Sequence, residues 1–151
     1  MKKIVLFLLL CGSLFAQEEN LKGLNKVFVN VRTFGILSDK LQNQLTMELK
    51  LKLLGAGVQT AQTYEDSKAS LDFSVDLIKS AFADERVLII MKLIEPVIIK
   101  REKNINTRAI TYYDYKFFTA PQNQVPDFVY DKILNVMFVS FINKCLTDNS
   151  K

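Results

Sequence analysis

Residues 70–99 have the sequence SLDFSVDLIKSAFADERVLIIMKLIEPVII, in which two hydrophobic patterns follow one another. Residues 71–77 alternate between apolar and polar side chains, which is the pattern of a β-strand with one buried and one wet face. Residues 87–94 are apolar at every position except Lys92, which is typical of a strand near the centre of a sheet with both faces covered. The polar stretch 83–86 between them predicts a turn. We therefore expect an antiparallel hairpin in the middle of a sheet.

A further long strand is predicted downstream of this hairpin. Pro96 cannot donate a ladder hydrogen bond, so it should mark a bulge, an edge or the end of regular pairing. The mostly polar residues 100–106 predict a second turn, and residues 107–119 then alternate over a long stretch. This last strand is dense in aromatic side chains, which are Tyr112, Tyr113, Tyr115, Phe117 and Phe118.

The sequence upstream of the hairpin predicts a strand followed by a helix. Residues 26–32 alternate with a period of two and should form the first strand. Ser38 is a candidate N-cap, and four leucines at a spacing of four residues predict an amphipathic helix over 38–54. These leucines are Leu41, Leu45, Leu49 and Leu53. A short extended piece at 58–61 and a polar turn at 64–70 connect this helix to the hairpin.

A second amphipathic helix closes the chain. Pro126 suits the first turn of a helix, where its missing N–H costs nothing. Five residues at a spacing of four then mark one apolar face, and they are Val129, Ile133, Met137, Phe141 and Cys145. We expect this helix to cover the central strand of residues 87–94, and Cys145 to be a buried structural thiol.

The predicted fold class is α+β. It consists of a mostly antiparallel sheet of three to four strands with two helices packed on one face, in the order β-α-β-β-β-α. This arrangement buries both helical stripes and leaves the opposite face of the sheet partly free. We place a single domain at residues 26–147, after a polar leader at 17–25 and before a short tail at 148–151.

The first sixteen residues have the layout of a secretory signal peptide. Lys2 and Lys3 precede an apolar run at 4–10, and small residues follow. The run is much shorter than the roughly 20 residues that a membrane-spanning helix needs, so we expect no transmembrane span. Cleavage after Ala16 is one expected outcome. Lipidation of Cys11 is the alternative, and it would anchor the domain to a membrane.

Composition and charge argue against several classes of function. The net charge of +4 falls by two when Lys2 and Lys3 leave with the leader, which is too mild to indicate a nucleic acid partner. The chain has no histidine, which removes the commonest general base and most zinc sites. We therefore expect a protein without catalytic residues, metal or cofactor. A hydrolase that uses the isolated carboxylates Asp72, Asp76 and Asp114 is the remaining enzymatic alternative.

The aromatic strand supplies the candidate binding surface. The side chains of Tyr112, Tyr113, Tyr115, Phe117 and Phe118 alternate between two faces, and both sets cannot lie under the helices. The set that points outward would leave large amphipathic rings at a surface, where such rings make protein, glycan or lipid contacts. Cross-strand aromatic pairs that only stabilise the sheet are the alternative interpretation.

The element order is similar to that of a known class of envelope proteins. The leader, the segments KVFVNVRTF, LKLLGAGVQ, SLDFSVDLIKS and VLIIMKLIEPV, and the closing helix resemble LptE-type lipopolysaccharide-assembly lipoproteins. They resemble more loosely the TolB amino-terminal domain and the auxiliary lipoproteins of envelope lipid transporters. The resemblance covers residues 26–147 and implies a non-catalytic component beside an outer-membrane assembly.

These observations lead to two functional hypotheses. The first is an exported accessory protein of the cell envelope, in the periplasm or at the periplasmic face of the outer membrane, that binds another envelope protein. The second is a periplasmic module that binds a lipid, a glycan or a peptidoglycan fragment.

Overall fold

The computed structural model describes residues 21, 23–78, 84–99 and 105–149. The predicted signal peptide at 1–16, including Cys11, lies outside the described residues, and so does most of the predicted turn at 100–106. The strands are β1 (Lys26–Arg32), β2 (Gln59–Ala61), β3 (Ser70–Ile78), β4 (Asp84–Ile99) and β5 (Ile105–Pro121). The helices are α1 (Asp39–Gly55), α2 (Tyr64–Ser67), α3 (Val125–Asp131) and α4 (Phe138–Asn149), with a 3-10 turn at Gln122–Gln124 and a π-helical segment at Lys132–Met137.

The α+β fold class is confirmed, with two corrections to the sheet. The described strands form one five-stranded sheet in the order β2-β1-β3-β4-β5, one strand more than the predicted maximum. β1 pairs in parallel with both of its neighbours, whereas β3 with β4 and β4 with β5 are antiparallel. The parallel pairs arise because α1 returns the chain to the level of Lys26, where β2 begins, and because the α2 connection then crosses β1 at the level of Phe28, where β2 ends and β3 begins.

Both amphipathic helices pack on the same face of the sheet. The segments α3, Lys132–Met137 and α4 follow one another without a break, and we call them together the C-terminal helix. The inward side chains of β1, β3 and β4 join the apolar stripes of α1 and the C-terminal helix in one cluster. On β4 the inward residues are Val87, Ile89, Met91 and Leu93. The stripe of α1 contributes Leu45, Leu49 and Leu53, which are each 0% exposed. The predicted cover of the sheet by two helices is therefore present on this face.

The core also includes two leucines from the segment that was expected to be a polar leader. Leu21 is 0% exposed and Leu24 is 6% exposed, and the Leu24 N–H donates to the Leu21 carbonyl at 3.3 Å. The packed part of the chain therefore begins upstream of Lys26. At the other end, α4 continues to Asn149 and Asp148 is buried, so helix occupies the start of the predicted tail.

Local signals placed α1 correctly. The Leu41 N–H donates to the Ser38 hydroxyl at 3.4 Å, as expected for an N-cap. At the other end, Gly57 has a φ of +80°, a left-handed conformation that favours glycine. The predicted helix and the observed one differ by a single residue at each end.

The two ends of β4 differ from the prediction. Asp84, Glu85 and Arg86, which were expected to form a turn, already pair with β5. Pro96 pairs with Arg108 of β5, but β3 ends its pairing with β4 at Ile94. One edge of β4 is thus open around Pro96, and that is where a strand tolerates proline. The irregularity lies before it, as a register shift between Leu93 and Ile94.

Candidate binding surface

The side of β4 and β5 that faces away from the helices forms a continuous apolar surface, which we call the open face. Paired residues across the two strands build it row by row: Leu88 with Phe117, Ile90 with Tyr115, Lys92 with Tyr113, and Ile94 with Ile110. Every one of these side chains except Lys92 is apolar or aromatic. Among the described helices, only the short α2 reaches this side of the sheet, where Tyr64 contacts Arg108 at one end.

The predicted aromatic residues divide between the two faces of β5. Tyr113, Tyr115 and Phe117 lie on the open face and are 48%, 57% and 55% exposed. The rings of Tyr113 and Tyr115 have centroids 6.2 Å apart. Three of the five predicted residues are thus brought together at one surface.

Tyr112 and Phe118 do not belong to this surface. Because side chains alternate along a strand, they point toward the helices. Tyr112 makes an edge-on contact with Phe141 at 5.3 Å between ring centroids, and Phe118 stacks on Phe128 at 6.1 Å. These two residues therefore hold β5 against the C-terminal helix, and the structure places them apart from the other three predicted surface residues.

The sequence prediction missed the contribution of β4 to the open face. Leu88, Ile90 and Ile94 were expected to lie under cover, because residues 87–94 are apolar on both sides. The helices cover only the side of Val87, Ile89, Met91 and Leu93. Leu88, Ile90 and Ile94 are half-buried by their neighbours in the sheet, so an apolar pattern on both sides of a strand does not require helices on both sides.

A band of charged side chains borders the open face on β3 and β1. Asp72 lies opposite Lys92 in the pairing of β3 with β4, and its carboxylate is 3.7 Å from the Arg32 guanidinium. Asp76 lies two positions further along the same face of β3, opposite Leu88. An apolar centre with a charged rim is the usual anatomy of a protein interface.

The three carboxylates of the hydrolase alternative do not form a common site. Asp72 and Asp76 lie on the open side of β3, where Ser74 separates them. Asp114 lies on the opposite side of the sheet, paired in register with the inward residue Met91. Its carboxylate is 3.4 Å from the Lys116 ammonium group. Two carboxylates that act on one substrate bond lie within about 10 Å of each other. Asp114 lies on the other side of the sheet from Asp72 and Asp76, so it cannot act together with either of them on one bond.

A polar groove of about 340 Å³ runs along the helix side of β5, beside α4. Asp114 and Lys116 line it from the strand, and Ser140 and Lys144 line it from the helix. Tyr112 also lines the groove, and burial and then the nearby Asp114 carboxylate raise the pKa of its phenol to about 12. The groove has charged side chains on both walls and is more polar than the usual small-molecule site.

At the end of the open face near β1, a side chain of β5 contacts a side chain of α2. The Arg108 guanidinium of β5 lies 3.9 Å from the centre of the Tyr64 ring in α2. A cation over an aromatic face is attracted by the ring quadrupole, which makes the face of the neutral ring partially negative. This contact joins the far end of the β4–β5 hairpin to the α2 connection.

None of the helices described here is both long and apolar enough to cross a membrane. Among the same residues, no group of three or more acidic or cysteine side chains is arranged to hold a metal ion.

Comparisons with known proteins found similar structures only. No protein-family model matches the chain, and no curated protein matches it. A point variant of the PelC dodecamer from Paraburkholderia phytofirmans is 14% identical, with 83% of this chain and 86% of that chain covered and a TM-score of 0.38. A second PelC dodecamer structure from that organism is 12% identical, with 77% and 86% covered and a TM-score of 0.42. A minor lipoprotein from Acinetobacter baumannii is 11% identical, with 83% and 94% covered and a TM-score of 0.39. The resemblance to LptE-type lipoproteins is supported by no family model and stays a prediction.

Proposed function

We propose that this protein is a non-catalytic, exported component of the cell envelope that binds another envelope protein through the open face. The observation that carries the proposal is the exposed row of Tyr113, Tyr115 and Phe117 beside the apolar outer side of β4. Large exposed apolar patches on a folded domain mark interaction sites, and tyrosine is among the residues that dominate binding energy at interfaces. The leader pattern of residues 1–16 supports the envelope as the compartment.

The charged rim supports a protein partner in particular. Lys92, Asp72 and Arg32 place charges of both signs beside the aromatic row. Mixed charges at the edge of a patch fix the orientation of a partner and reject wrong ones. A surface for a uniformly anionic lipid headgroup layer would instead favour basic side chains alone.

Site-specific photocrosslinking in intact cells tests this proposal. A photoreactive phenylalanine analogue is placed at Tyr115 on the open face, or at Phe34, which is 73% exposed in the loop after β1. We expect the Tyr115 position to give an adduct that contains peptides of a different envelope protein, and the Phe34 position to give none. Equal adducts at both positions, or none at Tyr115, would contradict the proposal.

Substitution of the same surface gives a quantitative version of the test. Phe117→Ser removes an exposed ring without touching the helix face, and should weaken the captured complex by roughly tenfold or more, as for a residue at the centre of an interface. Phe34→Ser is the matched control and should leave the affinity unchanged. Thermal unfolding of both variants checks that the fold is retained.

A lipid or glycan ligand is the second candidate function for the open face. Tyrosine rings combine an apolar body with a hydroxyl group, which suits both acyl chains and sugars. Native mass spectrometry of protein released gently from envelopes separates the two candidates. A retained small molecule that is lost in Phe117→Ser would support this second function, whereas a bare protein mass supports the first.

A further inference from the structure

The outer edge of β5 presents main-chain groups that no described element pairs with. β5 is the last strand of the sheet and hydrogen-bonds to β4 along one side only. The Tyr115 N–H donates at 2.8 Å to the Asp114 carboxylate, so it points away from β4. Since the main-chain groups of alternate residues point to the same side of a strand, Tyr113, Tyr115 and Phe117 all direct N–H and C=O groups to the free edge.

The residues along this edge would match those of a second copy if the two β5 strands ran antiparallel with Tyr115 at the centre. A two-fold axis through Tyr115 places Asp114 opposite Lys116 of a second copy, and Lys116 opposite its Asp114. The same axis places Tyr113 opposite Phe117, and Tyr112 opposite Phe118. Opposite charges and aromatic pairs are both favourable directly across an antiparallel pair of strands.

We propose that β5 pairs with β5 of a second copy of this chain, antiparallel and two-fold symmetric about Tyr115. The two five-stranded sheets then become one continuous sheet. The residues whose main-chain groups point outward, at 113, 115 and 117, are those that the axis places opposite one another. The register that matches the charges is therefore also the register that matches the hydrogen bonds.

Asp114 changes partners in this assembly. In the single copy its carboxylate accepts from the Tyr115 N–H and lies 3.4 Å from Lys116 of the same strand. On pairing, the Tyr115 N–H bonds across the axis, and Asp114 turns to Lys116 of the second copy. If the carboxylate instead served only to cap the edge, as charged side chains do on many edge strands, the protein would remain monomeric.

The dimer would also extend the open face. The two rows of Tyr113, Tyr115 and Phe117 meet at the axis and form one aromatic surface across both copies. This inference does not rest on the proposed function, because it concerns the purified protein without any partner. Failure of one therefore leaves the other unaffected.

The proposal is tested by reversing the charges at Asp114 and Lys116, one at a time and together, and measuring the dimer dissociation constant by sedimentation equilibrium. The sample is the mature protein purified from cells. We expect a dimer for the wild type. Asp114→Lys alone and Lys116→Asp alone each place like charges across both symmetric contacts, and should weaken dimerisation by about tenfold or more. The double variant D114K/K116D restores opposite charges and should restore the dimer. A monomeric wild type, or a folded double variant that stays monomeric, would overturn the proposal.

A second pair of variants tests the hydrogen bonds independently of charge. Tyr115→Pro removes the outward N–H at a position where an edge strand tolerates proline, and should give a folded monomer. Tyr115→Ala keeps that N–H and is the matched control, which should remain dimeric. Thermal unfolding of each variant confirms that the sheet is intact. A dimer that survives Tyr115→Pro would show that another surface joins the copies.

Discussion

Burial decides the chemistry of Cys145 in this protein. The residue is 1% exposed and lies on the apolar stripe of the C-terminal helix. Burial, and to a smaller extent the nearby Asp148 and Glu95 carboxylates, raise the pKa of its thiol to about 12. Because the thiolate is the nucleophilic form, the folded protein keeps this group in its unreactive state at neutral pH.

We predict that Cys145 is protected from alkylation in the folded protein. At pH 8 an unperturbed thiol is partly ionised, whereas a thiol with a pKa of about 12 is almost entirely protonated. Iodoacetamide should therefore modify the peptide that contains Cys145 at least about a hundredfold more slowly in native buffer than in guanidinium chloride. Mass spectrometry of the digested protein measures both rates. Equal rates would mean that the thiol is reactive and accessible in the fold.

The sequence identified the five aromatic residues of β5, but it did not show which of them face the helices and which face away. The alternation of β5 separates Tyr113, Tyr115 and Phe117 from Tyr112 and Phe118, but both sets are aromatic. The pattern of one strand therefore cannot tell which set lies under the helices. That choice follows from the pairing with β4, which aligns Tyr112 and Phe118 with the inward residues Leu93 and Val87.

The π-helical segment of the C-terminal helix keeps the apolar stripe directed at the sheet. Residues four apart on a regular α-helix are offset by about 40°, so a stripe from Val129 to Cys145 would rotate by about 160° around the helix. Yet Val129, Ile133, Met137 and Phe141 are each 0% exposed. The π-helical segment at Lys132–Met137 widens one turn, and the stripe stays on the sheet.

We predict that the wide turn tolerates the loss of one residue. Deletion of the exposed Asn135 converts the π-helical turn to a regular one and keeps the buried residues on either side facing the sheet. Its cost should stay near the typical loss of about 1–2 kcal/mol in the free energy of unfolding. Urea denaturation followed by circular dichroism measures this value.

Asn43 provides the control for this deletion. It is also an exposed asparagine in the first half of a helix, but α1 is regular around it. Its deletion rotates Leu45, Leu49 and Leu53 away from the core by about 100°, so we expect loss of cooperative folding. Equal tolerance of both deletions would mean that the wide turn has no role in keeping the stripe in place.

Hydrophobic patterns predicted the elements of this fold more completely than their pairing. The stripe of leucines and the Ser38 cap located α1 to within a residue, because both signals are local. The alternation of Val27, Val29 and Val31 identified β1 but contains no information on the direction of its neighbours. Its parallel pairing with β2 and β3 depends on the helical connections, and β2 is only three residues long.

The whole molecule has two layers, a sheet and the helices on one of its sides. Apolar residues lie on both sides of β4 and β5, but the helices bury those on one side only. The helices cover one side of β4, where Val87, Ile89, Met91 and Leu93 are each 0% exposed, and a polar groove remains on the same side beside β5. The opposite side of β4 and β5 keeps an apolar surface that a larger protein would bury. The fold thus separates a stabilising face from a candidate binding face, so substitutions on one should leave the other unaffected.

The boundary of this two-layer structure can be tested at its N-terminal end. Leu21 and Leu24 are buried in the same cluster as the helices and the sheet, although they lie in the predicted leader. A chain that begins at Lys26 should therefore be less stable than one that begins at Leu21. Each buried leucine that is removed should cost about 2–5 kcal/mol in the free energy of unfolding, as measured by urea denaturation.

Substitutions in the longer chain separate the side chains from the length of the chain. Leu21→Ala with Leu24→Ala should reproduce most of the loss seen on truncation, because both remove the same buried apolar surface. Leu54→Ala removes a leucine that is 53% exposed, and this control should cost less than about 1 kcal/mol. If the double substitution is as mild as Leu54→Ala, the two leucines do not contribute to the core, and the domain begins at Lys26 as the sequence predicts.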